Sequence, residues 1–98
     1  MELNDIPEAF QSRLRLMIIS ALTMGKKSFS DLKHITGATD GNLSVQIGKL
    51  ESYGYLRVNK LFSQKKPMTV CEITDIGLRD FRAYVSLLNR IVSDCEDT

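Results

Sequence analysis

Asn42, Val45, Gln46 and Lys49 stand three and four residues apart, so on a helix they share one face. Two side-chain amides, a small side chain bearing methyl groups and an ammonium are groups that meet base edges, thymine methyls and phosphates in a DNA major groove. Leu43, Ile47 and Leu50 recur at helical spacing on the other side, so the same helix can be buried on one face and polar on the other. A solvated polar helix face has the same appearance, and the flanking segments decide between the two.

A helix with such a face must be held by its neighbours. Pro7 suits a first-turn helical position, and Leu14, Met17, Ile18, Ala21 and Leu22 then form a broad apolar stripe that Gly25-Lys26-Lys27 ends. Ser28-Phe29 is a short extended link, Ser30 is the expected N-cap of a brief second helix, and Leu32 and Ile35 face its core side. Thr36-Gly37-Ala38-Thr39-Asp40 breaks the chain tightly, with Thr39 or Asp40 capping a third helix that begins near Asp40. Two helices across a glycine-containing turn, the second with a polar outer face, form a helix-turn-helix pattern. Gly48 in mid-helix costs about 1 kcal/mol against alanine, and close packing against another helix is the expected compensation.

Tyr53-Gly54-Tyr55 stops the third helix, and the two tyrosines are expected to close the core. Leu56 to Phe62 reads as a strand, Ser63 to Pro67 as a polar turn, and Met68 to Thr74 as a returning strand. The hairpin carries Lys60, Gln64, Lys65 and Lys66. Thr74 caps a last helix from Asp75 to about Asp94, in which Leu78, Phe81, Val85, Leu88 and Val92 form a seam. Tyr84, Leu87 and Ile91 widen it beyond what one small domain covers. A second copy of the chain is expected to cover Leu78, Phe81, Tyr84, Val85, Leu88, Ile91 and Val92, with wholly intramolecular packing as the alternative.

Ninety-eight residues, 43% hydrophobic and 26% charged, match one soluble globular domain spanning 1–98. The most apolar run, Leu14 to Leu22, is interrupted by Arg15 and Ser20 and is too short to cross a bilayer. Glu2 and Asp5 stand where a leader would be basic, so a cytoplasmic location is expected. Cys71 and Cys95 make no C-x-x-C pair; Cys71 is expected in the core, and Cys95 lies in an acidic tail running from Ser93 to Thr98. The net charge is only +1, yet residues 25–66 hold eight lysines and arginines against three acids, making the middle of the chain the candidate polyanion face.

Arg13-Leu14-Arg15, Thr39-Asp40-Gly41-Asn42-Leu43-Ser44, Leu50-Glu51-Ser52-Tyr53-Gly54-Tyr55 and Ile73-Thr74-Asp75-Ile76-Gly77, in that order, resemble the MarR/ArsR-type winged-helix transcriptional regulators. The likeness is to their small single-domain branch, in which a basic wing ends in Lys-Pro and a threonine caps the last helix. It implies a mainly α fold with a small β-hairpin: a three-helix core, a two-stranded wing, and 75–94 as a C-terminal dimerisation helix.

The resemblance further implies a homodimer that binds specific double-stranded DNA sequences and regulates transcription, each recognition helix in a major groove and each wing on the backbone. Thr39, Asn42, Ser44, Val45, Gln46 and Lys49 fall at the recognition-helix positions, and Lys60, Gln64, Lys65 and Lys66 on the wing. Residue type matches Asn42 and Gln46 to adenine and Val45 to a thymine methyl. The wing departs from the family in offering lysines where arginines are common, which gives charge without a bidentate fork. The metal box of ArsR-type regulators is missing: His34 stands alone, so neither metal nor cofactor is expected. Related regulators hold small-molecule effectors between the DNA-binding lobe and the dimer helices, where Phe10, Met17 and Tyr84 would line a pocket or simply fill the core. Lacking a phosphate loop, a nucleophile elbow or H-E-x-x-H, the chain is not expected to be an enzyme. A winged helix that docks proteins without reading DNA is the alternative function.

Overall fold

The computed structural model describes residues 1–96. Two short 3-10 turns, Leu3–Asp5 and Glu8–Phe10, lead into α1 (Arg13–Leu22), β1 (Lys27–Ser28), α2 (Phe29–Thr36), α3 (Asp40–Ser52), β2 (Leu56–Ser63), β3 (Lys66–Ile73) and α4 (Asp75–Glu96). The fold is therefore the mainly α winged helix expected, with one addition: β1 pairs with β3 at Val70 and Cys71, giving a three-stranded antiparallel sheet in the order β1-β3-β2. The acidic tail is helical through Glu96, while Asp97 and Thr98 lie outside the described residues.

Periodicity builds the core. Ile18, Ile19 and Leu22 of α1, Leu32 of α2, Leu43, Ile47 and Leu50 of α3, Tyr55 just before β2, and Leu56 and Cys71 of the sheet pack together, and Ala9 and Phe10 close it from the N-terminal side. Burial pushes the Cys71 thiol up to about 11, with the Glu51 charge adding to the shift, so this cysteine is an inert core residue.

Local chemistry moves several expected boundaries. The first helix starts at Arg13, with Ser12 Oγ accepting from Arg15 N at 3.3 Å, and Pro7 instead precedes a 3-10 turn. The Glu8 and Ala9 carbonyls both accept from the Arg15 side chain, and Glu8 O also accepts from Gln11 N at 3.0 Å in the 3-10 turn. The second helix is capped by Ser28, whose Oγ accepts from Asp31 N at 3.0 Å, rather than by Ser30, because its first turn begins directly where β1 ends. Its Ile35 is exposed rather than core-facing. The hairpin turn is only two residues: Ser63 pairs with Lys66, and Gln64 and Lys65 both adopt left-handed conformations, φ 53° and 66°. Both central residues at positive φ match the right-handed twist of the flanking strands. Pro67 joins β3 opposite Phe62, beyond the reach of β1, where its missing N–H breaks no second ladder.

The corner before α4 is tight. Thr74 Oγ1 donates to Gly54 O at 2.6 Å and accepts from Gly77 N at 3.0 Å, while Thr74 N donates to Tyr55 O at 2.9 Å. A Cβ on Gly77 would stand 2.5 Å from that Tyr55 oxygen and 3.0 Å from Ile73 Cγ1, so close approach of helix to strand dictates the glycine. Gly48, by contrast, has nothing within 4 Å of a Cβ; the close helix packing expected there is absent.

Two ring contacts hold α4, with Phe10 stacked on Tyr84 (5.1 Å) and edge-on to Phe81 (6.0 Å), and a third stacks Phe10 on Tyr55 before β2 (5.5 Å). Tyr55 OH also donates to Asp80 Oδ2 at 2.7 Å. Burial, then the Asp80 hydrogen bond and charge, push the Tyr55 phenol above its ordinary 10.0, and the Tyr55 bond holds the Asp80 carboxyl below its ordinary 3.8.

Gly77→Ala should lower stability by about 1–3 kcal/mol through overpacking, whereas Gly48→Ala should raise it by up to about 1 kcal/mol through helix propensity; thermal unfolding of both variants checks the opposite signs. Tyr55→Phe should cost about 1–2 kcal/mol at neutral pH. Asp80, with a lowered folded value, contributes fully above its ordinary 3.8 and loses its contribution as pH falls through the lowered value; Tyr55, with a raised one, contributes below 10.0 and loses it as pH rises beyond. Urea melts across pH should therefore show the gap between native protein and Tyr55→Phe narrowing at both extremes, and a gap constant with pH would contradict the assignment.

Candidate nucleic-acid interface

The turn from α2 to α3 is set by Gly37 at φ 69° and by Thr39, whose Oγ1 accepts from Asn42 N at 3.2 Å. Lys33 Nζ bridges the two helices to Asp40 Oδ1 at 2.7 Å. With Leu43, Ile47 and Leu50 buried, the opposite face of α3 is turned outward: Asn42, Ser44 and Lys49 are exposed, and Val45 is 54% exposed.

Gln46 departs from the simple two-face picture. It is half-buried, and its Oε1 accepts from Arg15 Nη1 at 2.8 Å while its Nε2 donates to Asn42 Oδ1 at 3.4 Å. Arg15 is only 7% exposed and gives its remaining hydrogen bonds to Ala9 O (Nε, 3.2 Å) and Glu8 O (Nη2, 2.9 Å). Sequence reasoning passed over this arginine as a site residue. The signal was there: positions 15, 18, 19 and 22 form one buried stripe of α1, and an arginine among them must be satisfied by the protein itself.

The wing stands beside α3. Ser44 and Gly48 of α3 face Lys60 and Thr69 across a cleft of about 400 Å³ that Phe29, Ile47, Glu51 and Val58 complete. Gln64 and Lys65 form the tip, Lys66 opens β3, and all are exposed. Phe62 is 81% exposed on the same sheet face as Lys60, a second residue the sequence pattern left out. Leu56 and Val58 continue that face inward; beyond Val58 the core ends, and the aromatic ring has no cover.

Ion pairs sort the basic middle of the chain. Glu72 meets Lys26 at 3.8 Å and Arg57 at 3.3 Å, and Asp40 meets Lys33. Lys49, Lys60, Lys65 and Lys66 have no carboxylate partner among the described residues. Positive charge is left unpaired on the outer face of α3 and along the wing.

On α4, Phe81 and Tyr84 pack on Phe10, Leu87 is buried, Leu78 and Ile91 are half-buried, and Val85, Leu88 and Val92 are exposed. Phe10 is core. Met17 and Tyr84 line an open apolar groove of about 560 Å³ between α1 and α4, with Leu16, Met24, Ile35 and Leu88. Tyr55 is buried as expected, while Tyr53 lies at the surface. His34 is exposed on α2, no described group of three His, Cys, Asp or Glu residues could hold a metal, and no described helix is long and apolar enough to cross a membrane.

A family model for the winged helix DNA-binding domain matches residues 14–92. An uncharacterised protein of Methanocaldococcus jannaschii is 33% identical over 78 residues, covering 78% of this chain and 84% of that protein. A transcriptional regulator homologue from Pyrococcus horikoshii superposes with a TM-score of 0.77 and 30% identity, covering 90% of this chain and 93% of the other. A protein assigned to the MarR family of transcriptional regulators from Enterococcus faecalis gives a TM-score of 0.83 at 19% identity, covering 97% of this chain and 86% of the other, a likeness of fold.

Proposed function

The chain belongs to the winged helix DNA-binding domain family, and from that premise we propose that it acts as a homodimeric transcriptional regulator reading specific double-stranded DNA sequences. One observation carries the proposal: α3 is clamped by three buried apolar residues on one side and presents Asn42, Val45 and Lys49 on the other, next to wing lysines that have no carboxylate partner among the described residues.

The division of tasks follows from residue chemistry. α3 lies in a major groove, with Thr39 and Ser44 at backbone oxygens and Asn42, Val45, Gln46 and Lys49 toward the bases and phosphates. Lys60, Gln64, Lys65 and Lys66 hold the wing on the backbone. Val85, Leu88 and Val92 follow a 3-4 spacing on a 22-residue helix, and a second α4 laid along them would bury this exposed row. The two α3 helices of such a dimer would meet successive major grooves of a palindrome. The apolar groove between α1 and α4 has the volume of a small-ligand site and supports a small-molecule effector as a further partner.

Selection of duplexes from a random pool should return an inverted repeat, and sedimentation should give a dimer; a pool with no enriched sequence would count against sequence reading. Lys65→Ala combined with Lys66→Ala should weaken binding to all duplexes alike and flatten the plot of log affinity against log salt by about 0.9 for each phosphate that is no longer neutralised. Val85→Glu with Leu88→Glu should give a folded monomer whose affinity for the two-half-site duplex is about 100-fold lower or worse. A variant that still sediments as a dimer would move the subunit interface elsewhere.

A further inference from the structure

Resting on the reading that α3 enters a major groove, we propose that Arg15 is a positioning residue for base recognition, turning the Gln46 and Asn42 amides so that they present adjacent N–H donors and select guanine rather than adenine. A guanidinium only donates, so the end of the Gln46 amide that meets Arg15 Nη1 at 2.8 Å is the carbonyl oxygen. The reverse orientation would set N–H against N–H inside a site that is 7% exposed at Arg15.

The consequence passes along α3. With Oε1 turned inward, Gln46 Nε2 faces outward, and one of its two hydrogens goes to Asn42 Oδ1 at 3.4 Å. The second hydrogen is available to a ligand. Asn42, its oxygen engaged by Gln46, offers its own Nδ2 hydrogens from an exposed position one turn toward the helix start.

Adenine recognition by an amide needs a donor and an acceptor side by side, the acceptor receiving the N6 amino group while the donor meets N7. Gln46 has committed its acceptor to the protein interior. Guanine presents O6 and N7 together, two acceptors that match two neighbouring donors; adenine would bring its amino hydrogens against an N–H. The buried cation thus sets a base preference without touching DNA. For Gln46 to swing free and read adenine, Arg15 would be left short of an acceptor that no other described residue supplies.

The test combines selected duplexes with base analogues. Gln46→Met first locates the base pair that Gln46 contacts, as the position whose preference disappears. In the native protein that position should be guanine; replacing it by adenine should weaken binding by about 5- to 100-fold, and 7-deazaguanine, which lacks the N7 acceptor, should weaken it as well. Arg15→Met should abolish the guanine preference or shift it toward adenine while leaving affinity for random duplex and its salt dependence unchanged. In a Gln46→Met background, Arg15→Met should leave the base profile unaltered, which a purely structural role would not predict. Should Arg15→Met fail to fold, the analogue series on the native protein still decides the matter. Adenine at this position, or a guanine preference that survives Arg15→Met in a folded variant, would overturn the inference alone. A selection that enriches no sequence would overturn it together with the reading of DNA by α3.

Discussion

A guanidinium withdrawn from water keeps donors on all three nitrogens that call for acceptors in fixed directions, and at Arg15 each nitrogen has one. Its acceptors are the carbonyls of Glu8 and Ala9 and the side-chain oxygen of Gln46, drawn from segments on either side of α1. All three are neutral, so the cation is solvated by dipoles rather than cancelled by a carboxylate. Losing one of them leaves a buried charge under-satisfied, a costlier change than losing an ordinary hydrogen bond. The chain before α1 therefore turns back in 3-10 geometry, with its carbonyls aimed inward.

That same turn carries Phe10 into the aromatic cluster. Its carbonyl-bearing neighbours hold Arg15, and its ring is stacked on Tyr55 and Tyr84 and edge-on to Phe81. Consecutive residues of one short segment thus touch both the arginine that orients the α3 amide and the helix proposed to join two subunits. The N-terminal end of α4 is fixed independently, by Thr74 on Gly54, by Tyr55 on Asp80 and by the close approach that Gly77 permits. With the helix held at this corner and along the aromatic face, its rotation about its own axis is determined. Val85, Leu88 and Val92 have to point away from the core.

What was legible in the sequence was what local chemistry determines. Leu43, Ile47 and Leu50 with the Thr39 cap define α3, and Thr74 defines the start of α4, because period and cap lie within a few residues of each other. The extra strand was not legible: Lys27-Ser28 has no periodicity, and it is a strand only because β3 offers an open edge at Val70 and Cys71. Ile35 follows the helical pattern yet stays exposed, lining the open groove between α1 and α4, while Phe29 and Leu32 take the core side of this eight-residue helix. Both glycine outcomes are nonlocal as well: Gly77 is dictated by a carbonyl 22 residues earlier in the chain, while nothing approaches Gly48. Gln46 was assigned to the outward face by spacing alone, and the arginine that its amide oxygen accepts from lies 31 positions away. Where each α3 side chain sits could be read from one helix; which atoms it offers could not.

Charge behaves in the same way. A net charge of +1 points to no partner, and the eight cations of the middle segment overstate the case, since Glu72 and Asp40 answer three of them. What distinguishes the surface is where pairing stops: along β2 and β3 it ends at Arg57 and Glu72, near the base of the wing, and the lysines farther out have no described acid opposite them. Lysine supplies a mobile point charge and no planar fork, so these wing cations suit phosphates at many positions and discriminate little between sequences. Gln64 and Lys65 hold left-handed backbone conformations that favour glycine or asparagine, and that preference is overridden at a tip where a long polar chain and an ammonium are displayed. In the proposed regulator, affinity then resides largely in the wing and discrimination in α3, and the division has a structural cause. The side chains of the wing tip are exposed, whereas the amides of α3 are anchored through Gln46 to a buried arginine.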